Sequence, residues 1–381
     1  LMLIILRALQ GMAAALMSPS ALSIVLTTFK EGTERNRALG YWSTVATGGA
    51  AVGLLLGGVL TQYLGWRWNF FINVPVGLIV AFAISRYVPK HESEAKHNDL
   101  DLPGAILVTS GLIALVFLIS QAPLWGVLSL PSIGLFILAI ALLFGFVVNE
   151  SRSDHPLMPL SIFAIRNVIG ANLMMAPVAA TMLGSFFLLS LYIQTIMHYS
   201  PVITGLSFLP FPIIMGYTST RVSSLVSKYG YKGFLIAGPL LVAISFGLLS
   251  RLPINGNYFL DILPSTLLMP MGIGMTIMPL IAAATSGVPR NEAGLASGLI
   301  NTSQQMGGAL GLSILSGIAA TVAASSAPLG QRAAAVLGYD RAFFVAVIFT
   351  LFATFLAVAI IKQRRHIDVS HPSVSHQISL D

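Results

Sequence analysis

The stretch that decides the fold runs from residue 167 to residue 220 and reads NVIGANLMMAPVAATMLGSFFLLSLYIQTIMHYSPVITGLSFLPFPIIMGYTST. It contains no Asp, Glu, Lys or Arg, and neither does the stretch from 102 to 149. Soluble domains do not carry such long uncharged stretches, because their surfaces need charged residues. A bilayer core of about 30 Å requires roughly 20 apolar residues in a helix. Each stretch therefore predicts two membrane-spanning helices, joined by a turn at 121–126 or 198–201 where Pro or Gly occurs.

Eleven apolar runs along the chain have approximately the length needed to cross a bilayer. Alternation of period two, which would indicate a barrel, is absent. Only a helix or a closed barrel satisfies every backbone group in lipid, so the runs predict an all-α polytopic membrane protein. The runs are 1–29, 38–61, 68–85, 102–121, 129–149, 167–197, 202–226, 233–250, 259–284, 293–323 and 342–361.

The charge distribution supports this class and sets the orientation. Charged residues make up 9% of the chain and apolar residues 56%, which excludes disorder and a water-facing domain. With the C-terminus in the cytoplasm, fifteen of the 20 Lys and Arg residues fall on the inner side and four on the outer side, while Arg7 lies within a span. This asymmetry predicts a multi-pass protein whose C-terminus lies in the cytoplasm. The net charge of +7 therefore reflects topology and indicates no nucleic-acid partner.

The chain carries no pattern typical of an enzyme. It has no Cys, so disulfide and thiol chemistry do not arise. No nucleophile triad, phosphate-binding loop or metal-ligand cluster occurs at usable spacing. We therefore expect a protein that is not an enzyme and that uses neither a cofactor nor a metal.

Long hydrophilic segments at 86–101, at 149–166 and after 362 fall on the predicted inner side and separate the spans into groups of three, two and six. Six spans make one half of a carrier built from two six-helix repeats. By that symmetry we expect three further helices ahead of Leu1, so that the chain holds 11 of an expected 14 spans. The predicted parts are the remainder of an N-terminal half (1–88), cytoplasmic linkers (89–166) flanking an extra hairpin (102–149), a C-terminal half (167–361) and a cytoplasmic tail (362–381).

One predicted span carries a row of glycines at Gly40, Gly49, Gly53, Gly57 and Gly58. Intervals of four residues place most of them on one helix face. In lipid, such a face lets two helix backbones approach closely. The row is typical either of a helix contact used in transport or of tight packing that plays no part in it.

This row resembles the antiporter motif of the major facilitator superfamily, and more narrowly that of its fourteen-span drug:proton antiporters of the EmrB/QacA type. The motif is a glycine, eight residues, a glycine, three residues, Gly-Pro, two residues and Gly-Gly. Leu54 stands where the family has proline, which removes a residue that kinks helices. The resemblance implies a major facilitator fold and transport by alternating access.

The segment Arg7-Ala8-Leu9-Gln10-Gly11 resembles the fourth-helix motif of the same family, an Arg followed by two residues and Gln-Gly. The resemblance implies a role in proton coupling for Arg7, Gln10 and Gly11. An Arg inside a span costs at least about 2.5 to 3.5 kcal/mol on insertion scales, so it faces a partner or a watery cavity. The alternative is that Arg7 snorkels to the outer interface.

Further segments that resemble the family contain polar residues that are candidates for contact with cargo. Asn73 follows Trp66 and Arg67, whose residue types are typical of anchors at the membrane interface and of contact with lipid. The alternative for the amide side chains is hydrogen bonding between helices. The candidates for the substrate cavity are Asn73, Tyr192, Gln194, Asn301, Gln304 and Gln305, and the last three share a helix face with Gly308.

All 13 acidic residues are expected in loops, in tails or at helix ends. Proton-driven carriers need a carboxylate within a span, and the resemblance places it in the family's first helix, ahead of Leu1. The resemblance therefore implies a monomeric secondary active transporter of a bacterial-type plasma (inner) membrane that exports an amphipathic or cationic small molecule in exchange for protons. The alternatives are a uniporter, an exporter of a metabolite, siderophore or lipid-like compound, and a non-transporting scaffold, sensor or inactive truncation.

Overall fold

The computed structural model describes residues 2–28, 33–87, 101–126, 128–153, 156–288 and 293–362. Within these ranges the chain forms α-helices, short 3₁₀ and π turns and loops, and no strand. The α-helices are α1 (Met2–Thr28), α2 (Thr33–Tyr63), α3 (Trp68–Phe71), α4 (Asn73–Tyr87), α5 (Leu102–Trp125), α6 (Leu130–Arg152), α7 (Arg166–Leu191), α8 (Pro201–Ser207), α9 (Pro210–Tyr229), α10 (Lys232–Leu249), α11 (Leu263–Thr285), α12 (Ala293–Ser325) and α13 (Gln331–Ala359).

Nine helical segments within the described ranges are long and apolar enough to cross a membrane, and α3 and α4 together form one of them. Shorter apolar segments lie in α1, at Met2–Met17, and in α2, at Ala51–Tyr63. These segments correspond to the eleven runs read from the sequence. The prediction of an all-α polytopic membrane protein is confirmed.

The last helix is longer than its apolar run. α13 begins at Gln331, well ahead of the predicted run 342–361. The added part contains three successive alanines at 333–335, which have the highest helix propensity of all residues. The charged residues Asp340 and Arg341 end the apolar run at 342, but the helix continues ahead of them.

Two other predicted spans contain irregular turns. The run 202–226 is broken between Ser207, where α8 ends, and Pro210, where α9 begins. Proline lacks the N–H that a continuing helix requires, so the chain bends there. α7 passes into a π turn at Tyr192–Ile196, which widens the last turn of that span.

Helices α7 to α13 pack into one body. Its largest core cluster contains Tyr192, Phe246 and Phe343, all of them fully buried. The rings of Phe246 and Phe343 stack with their centroids 6.2 Å apart. In lipid, van der Waals packing of this kind holds helices together, because burial of apolar surface gives little advantage there.

Small residues bring α12 directly onto α7. A Cβ atom on Gly307 would overlap the backbone of Ala176, and one on Gly311 would overlap Ala180. No side chain larger than hydrogen fits at either glycine without moving a helix backbone. We call this contact the α7–α12 seam, made of Ala176, Ala180, Gly307 and Gly311.

Helices α5 and α6 form a hairpin that rests on α12. The buried carboxylate of Asp101 accepts hydrogen bonds from the backbone N–H of Gly104 at 2.9 Å and from the amide of Asn149 at 2.6 Å. It therefore caps the first turn of α5 and ties that turn to the end of α6. The hairpin occupies the segment 102–149 that the sequence separates from the other spans.

Side chains from the starts of α7 and α10 hold the end of α13. Arg166 donates hydrogen bonds to two carbonyl oxygens there at 2.6 and 3.0 Å, and Lys232 to a third at 3.3 Å. Asn167 and Tyr231 bind the backbone of Lys362. The last carbonyls of a helix have no intrahelical donor, so these four side chains, which we call the α13 clamp, replace it.

Two predicted segments fall largely outside the described residues. The linker from 89 to 100 is one, and the tail at 362–381 is the other, except for Lys362. The division of the chain into two transporter halves with linkers between them stays a prediction.

Candidate functional site

The glycine row of α2 meets α8 at two backbone contacts. A Cβ atom on Gly58 would lie 2.6 Å from the carbonyl oxygen of Pro201, and one on Gly205 would lie 2.7 Å from the carbonyl oxygen of Leu54. Both distances are shorter than real Cβ atoms adopt, so glycine is required on each side. We call this contact the glycine junction, made of Leu54, Gly58, Pro201 and Gly205.

Three other glycines of the row face open space among the described residues. No described atom of another part of the chain lies within 4 Å of a Cβ built on Gly49 or Gly53, and a Cβ on Gly57 reaches only the amide oxygen of Asn69 at 3.9 Å. Gly40 lies nearer the start of the same helix. Beside this face a cavity of about 810 Å³ opens between α2 and helices α7, α8 and α9.

One end of this cavity is aromatic. Phe186 from α7 lies between two rings from the bent α8–α9 span, with centroid distances of 5.2 Å to Phe208 and 4.6 Å to Phe211. Met182 and Met215 line the same region. Phenylalanine offers a flat apolar surface, and methionine adapts to irregular shapes, so this end suits an apolar group.

The other end of the cavity is polar. The amide of Asn69 donates to the hydroxyl of Thr61 at 2.7 Å, and the amide of Gln194 donates to the hydroxyl of Ser190 at 2.9 Å. The side-chain oxygen of each amide has no hydrogen-bond partner among the described residues. No charged side chain is present among the described residues that line the cavity.

The two ends are separated along a single span. Gln194 lies eight residues beyond Phe186, which corresponds to about 12 Å along a helix axis. It belongs to the π turn at the end of α7, a feature that is frequent at functional sites. The cavity therefore changes from aromatic to polar over the length of a small molecule.

A second cavity, of about 640 Å³, lies between α1 and the α3–α4 span. Arg7 donates to the amide oxygen of Gln10 at 2.9 Å, and its guanidinium carbon lies 4.5 Å from the ring centroid of Phe70. Asn73 also lines this cavity, and its amide donates to two backbone carbonyls of the preceding turn. Gly11 follows Gln10 on α1, with open space around it. The structure thus brings Arg7, Gln10 and Asn73 together.

The remaining cargo candidates line neither cavity. Tyr192 is buried, and its hydroxyl already donates to the carbonyl oxygen of Pro253 at 2.5 Å. The others lie on α12, where the first and third are exposed: Asn301, Gln304 and Gln305. A direct contact between these side chains and cargo stays a prediction.

Asp340 lies inside a span, which the sequence analysis missed. The apolar run placed it in a loop, but α13 starts at Gln331, about 14 Å away along the helix axis. The half-buried carboxylate accepts a hydrogen bond from the backbone N–H of Leu252 at 3.0 Å. The expectation that every acidic residue lies in a loop, in a tail or at a helix end is wrong for Asp340. The alanines at 333–335 were the available signal.

The apolar spans and the cavities between them define an all-helical, multi-pass membrane protein of the carrier class. The family model of the Major Facilitator Superfamily matches residues 1–312. The chain therefore belongs to the Major Facilitator Superfamily, which makes it a transporter and not an enzyme.

Three similar proteins have resistance or export in their names. The puromycin resistance protein pur8 of Streptomyces alboniger is 36% identical over 94% of this chain and 73% of its own length. The tetracenomycin C resistance and export protein of Streptomyces glaucescens is 33% identical over 82% of this chain and 58% of its own. The cephamycin export protein CmcT of Amycolatopsis lactamdurans is 37% identical over 82% of this chain and 65% of its own length. The chain thus spans about six to seven tenths of the length of these relatives.

Proposed function

We propose that this chain exports small amphipathic molecules by alternating access, with cargo bound in the cavity between α2 and helices α7 to α9. The observation that carries the proposal is the glycine junction beside that cavity. The two helices touch there through backbone, with a side-chain hydrogen bond beside the contact from the backbone N–H of Val202 to the amide oxygen of Gln62 at 3.3 Å. A contact made mainly by backbone lets two helices change their relative angle with little movement of side chains. The names of the three relatives, which refer to resistance or export, support the outward direction.

The finer proposal is proton antiport of the fourteen-span drug:proton type. Arg7, Gln10 and Gly11 are the coupling candidates in α1, where the hydrogen bond between Arg7 and Gln10 supports a shared role. Asp340 adds an acid within an apolar span, and such residues mark proton pathways in transporters. We place the protein as a monomer in a bacterial inner membrane, in contact with lipid and with its C-terminus in the cytoplasm.

Dye extrusion tests export and coupling together. Cells that lack their own efflux pumps are loaded with ethidium or with N-phenyl-1-naphthylamine, and dye loss is followed with and without an imposed pH gradient. We expect faster loss in cells that express this chain, and a return to the background rate when a protonophore collapses the gradient. Extrusion that persists without the gradient overturns antiport, and a correctly inserted chain that extrudes neither dye overturns export.

Asp340→Asn tests the proposed acid. The amide oxygen of Asn can still accept the hydrogen bond from Leu252, so the fold is preserved while the titrating group is lost. We expect gradient-driven extrusion to fall by about tenfold or more, with exchange of labelled for unlabelled dye retained. Asp261→Asn is the matched control, because Asp261 also accepts a backbone hydrogen bond but lies at the start of its span. Equal activity of the two variants contradicts the role of Asp340.

A uniporter for a metabolite, siderophore or lipid-like compound is the second candidate, and Leu54 favours it. The family has proline at this position, and α2 runs without interruption from Thr33 to Tyr63. A straight α2 lacks the kink that proline introduces. This second candidate is supported if protonophores leave the transport rate of the parent chain unchanged. It is supported further if they lower the transport rate of the Leu54→Pro variant.

A further inference from the structure

We infer that the cavity between α2 and helices α7 to α9 selects an uncharged amphiphile that carries a hydrogen-bond donor about 12 Å or less from an aromatic or aliphatic body. The inference deepens the proposed function and rests on it. It narrows the cargo class, since a permanently charged molecule is excluded as the preferred ligand.

The lining offers no counter-charge. Among the described residues that border the cavity, every polar side chain is a hydroxyl or an amide. A cation or an anion that leaves water for such a site loses its hydration without gaining an ion pair, and this loss is far larger than for a neutral polar group. A neutral molecule, by contrast, gains from contact with the rings of Phe186, Phe208 and Phe211.

The open oxygens define the polar half of the ligand. Asn69 and Gln194 each donate to a neighbouring hydroxyl, and this leaves a carbonyl oxygen free toward the cavity end where α2 and α7 terminate. A carbonyl oxygen only accepts hydrogen bonds, so its partner on a ligand is a hydroxyl, an amine N–H or an amide N–H. The distance between Gln194 and Phe186 then limits the distance between the donor and the apolar body of the ligand.

Binding to the purified full chain in lipid nanodiscs tests this class with three fluorescent probes. N-phenyl-1-naphthylamine is neutral and carries one N–H donor, its N-methyl derivative is neutral without a donor, and ethidium is a permanent cation. We expect the N–H probe to bind about 3- to 10-fold more tightly than the N-methyl probe, as one hydrogen bond allows. We expect ethidium to bind at least about tenfold more weakly than the N–H probe.

Substitutions at Gln194 locate the effect. Gln194→Leu removes one of the two free oxygens, so the preference for the N–H probe over the N-methyl probe is expected to fall. It is expected to disappear when Asn69→Leu removes the other oxygen as well. Gln194→Glu adds a negative charge at the polar end, so ethidium affinity is expected to rise about tenfold while the neutral probes lose affinity. Gln331→Leu is the matched control, because this exposed amide at the start of α13 lines neither cavity and its loss leaves all three affinities within about twofold.

The outcomes separate this inference from the proposed function. Tightest binding of ethidium, or an N–H preference that survives the double variant Gln194→Leu with Asn69→Leu, overturns the ligand class even if cells extrude dye. If cells extrude no dye but the Gln194 variants change binding as expected, the proposed ligand class is supported and the proposed export function is contradicted.

Discussion

Glycine rows on α12 and α2 have similar spacing but opposite surroundings. Gly307 and Gly311 of α12 lie so close to α7 that a single carbon atom would overlap its backbone. Gly49 and Gly53 of α2 face no atom within 4 Å in the part of the chain that the structure describes. The α7–α12 seam is therefore a site of permanent contact, whereas the row on α2 borders a cavity and touches its neighbour only near Gly58. A row of small residues therefore indicates that two helices can approach closely, but it does not tell whether they stay in contact.

The largest expected effect is loss of folding in Gly311→Leu. The new side chain overlaps Ala180, so α12 must move away from α7, and overpacking of this kind costs about 1–3 kcal/mol or more. We expect a poorly soluble or aggregated protein in fluorescence-detected size-exclusion chromatography. Gly298→Leu on the same helix has open space around it and is expected to behave like the parent chain. Equal stability of the two variants breaks the distinction between the seam and the rest of α12.

Gly58→Leu is expected to affect transport more than folding. The side chain would meet the carbonyl of Pro201 and separate α2 from α8, while the contacts of α7 to α13 remain. We expect dye extrusion to fall at least about tenfold, as expected when a helix at a functional contact is misplaced. The thermal midpoint should fall less than in Gly311→Leu. A variant that melts as early as Gly311→Leu shows instead that the glycine junction is a structural seam.

Gly53→Ala tests a glycine of α2 that borders the cavity, and it is expected to have the smallest effect of the three. The added methyl group meets no described residue within 4 Å, and alanine is a better helix former than glycine by about 0.5–1 kcal/mol. We expect unchanged or slightly raised thermal stability and extrusion within about twofold of the parent chain. A large loss of extrusion at unchanged stability means that another helix reaches Gly53 during the transport cycle.

The fold followed from the sequence because charge is so unevenly distributed along it. The uncharged stretch from 167 to 220 predicts two spans, and helices α7, α8 and α9 occupy it. The start of α13 did not follow, since the charged residues Asp340 and Arg341 ended the apolar run at 342, although the alanines at 333–335 favour helix on the other side of that pair. Asp340 was misplaced for that reason.

The site followed only in part, because its residues come from helices far apart in the chain. The glycine row of α2 and Gln194 were identified from their local patterns, and both border the larger cavity. The partner of Gly58 could not be read, since nothing in the sequence links it to Pro201. The cluster of Phe186 with two rings of another span escaped notice for the same reason: single phenylalanines on apolar spans look alike until packing brings them together.

The α13 clamp makes the end of the last helix a fixed reference point for distance measurements. Because Arg166 and Lys232 tie that end to α7 and α10, a spin label in the final turn, at Val358, moves with the whole body of α7 to α13. A second label at Val52, exposed on α2, reports on the other side of the glycine junction. Electron paramagnetic resonance would measure the distance between the two labels. Rocking of α2 against that body would give two populated distances, and cargo would change their proportions.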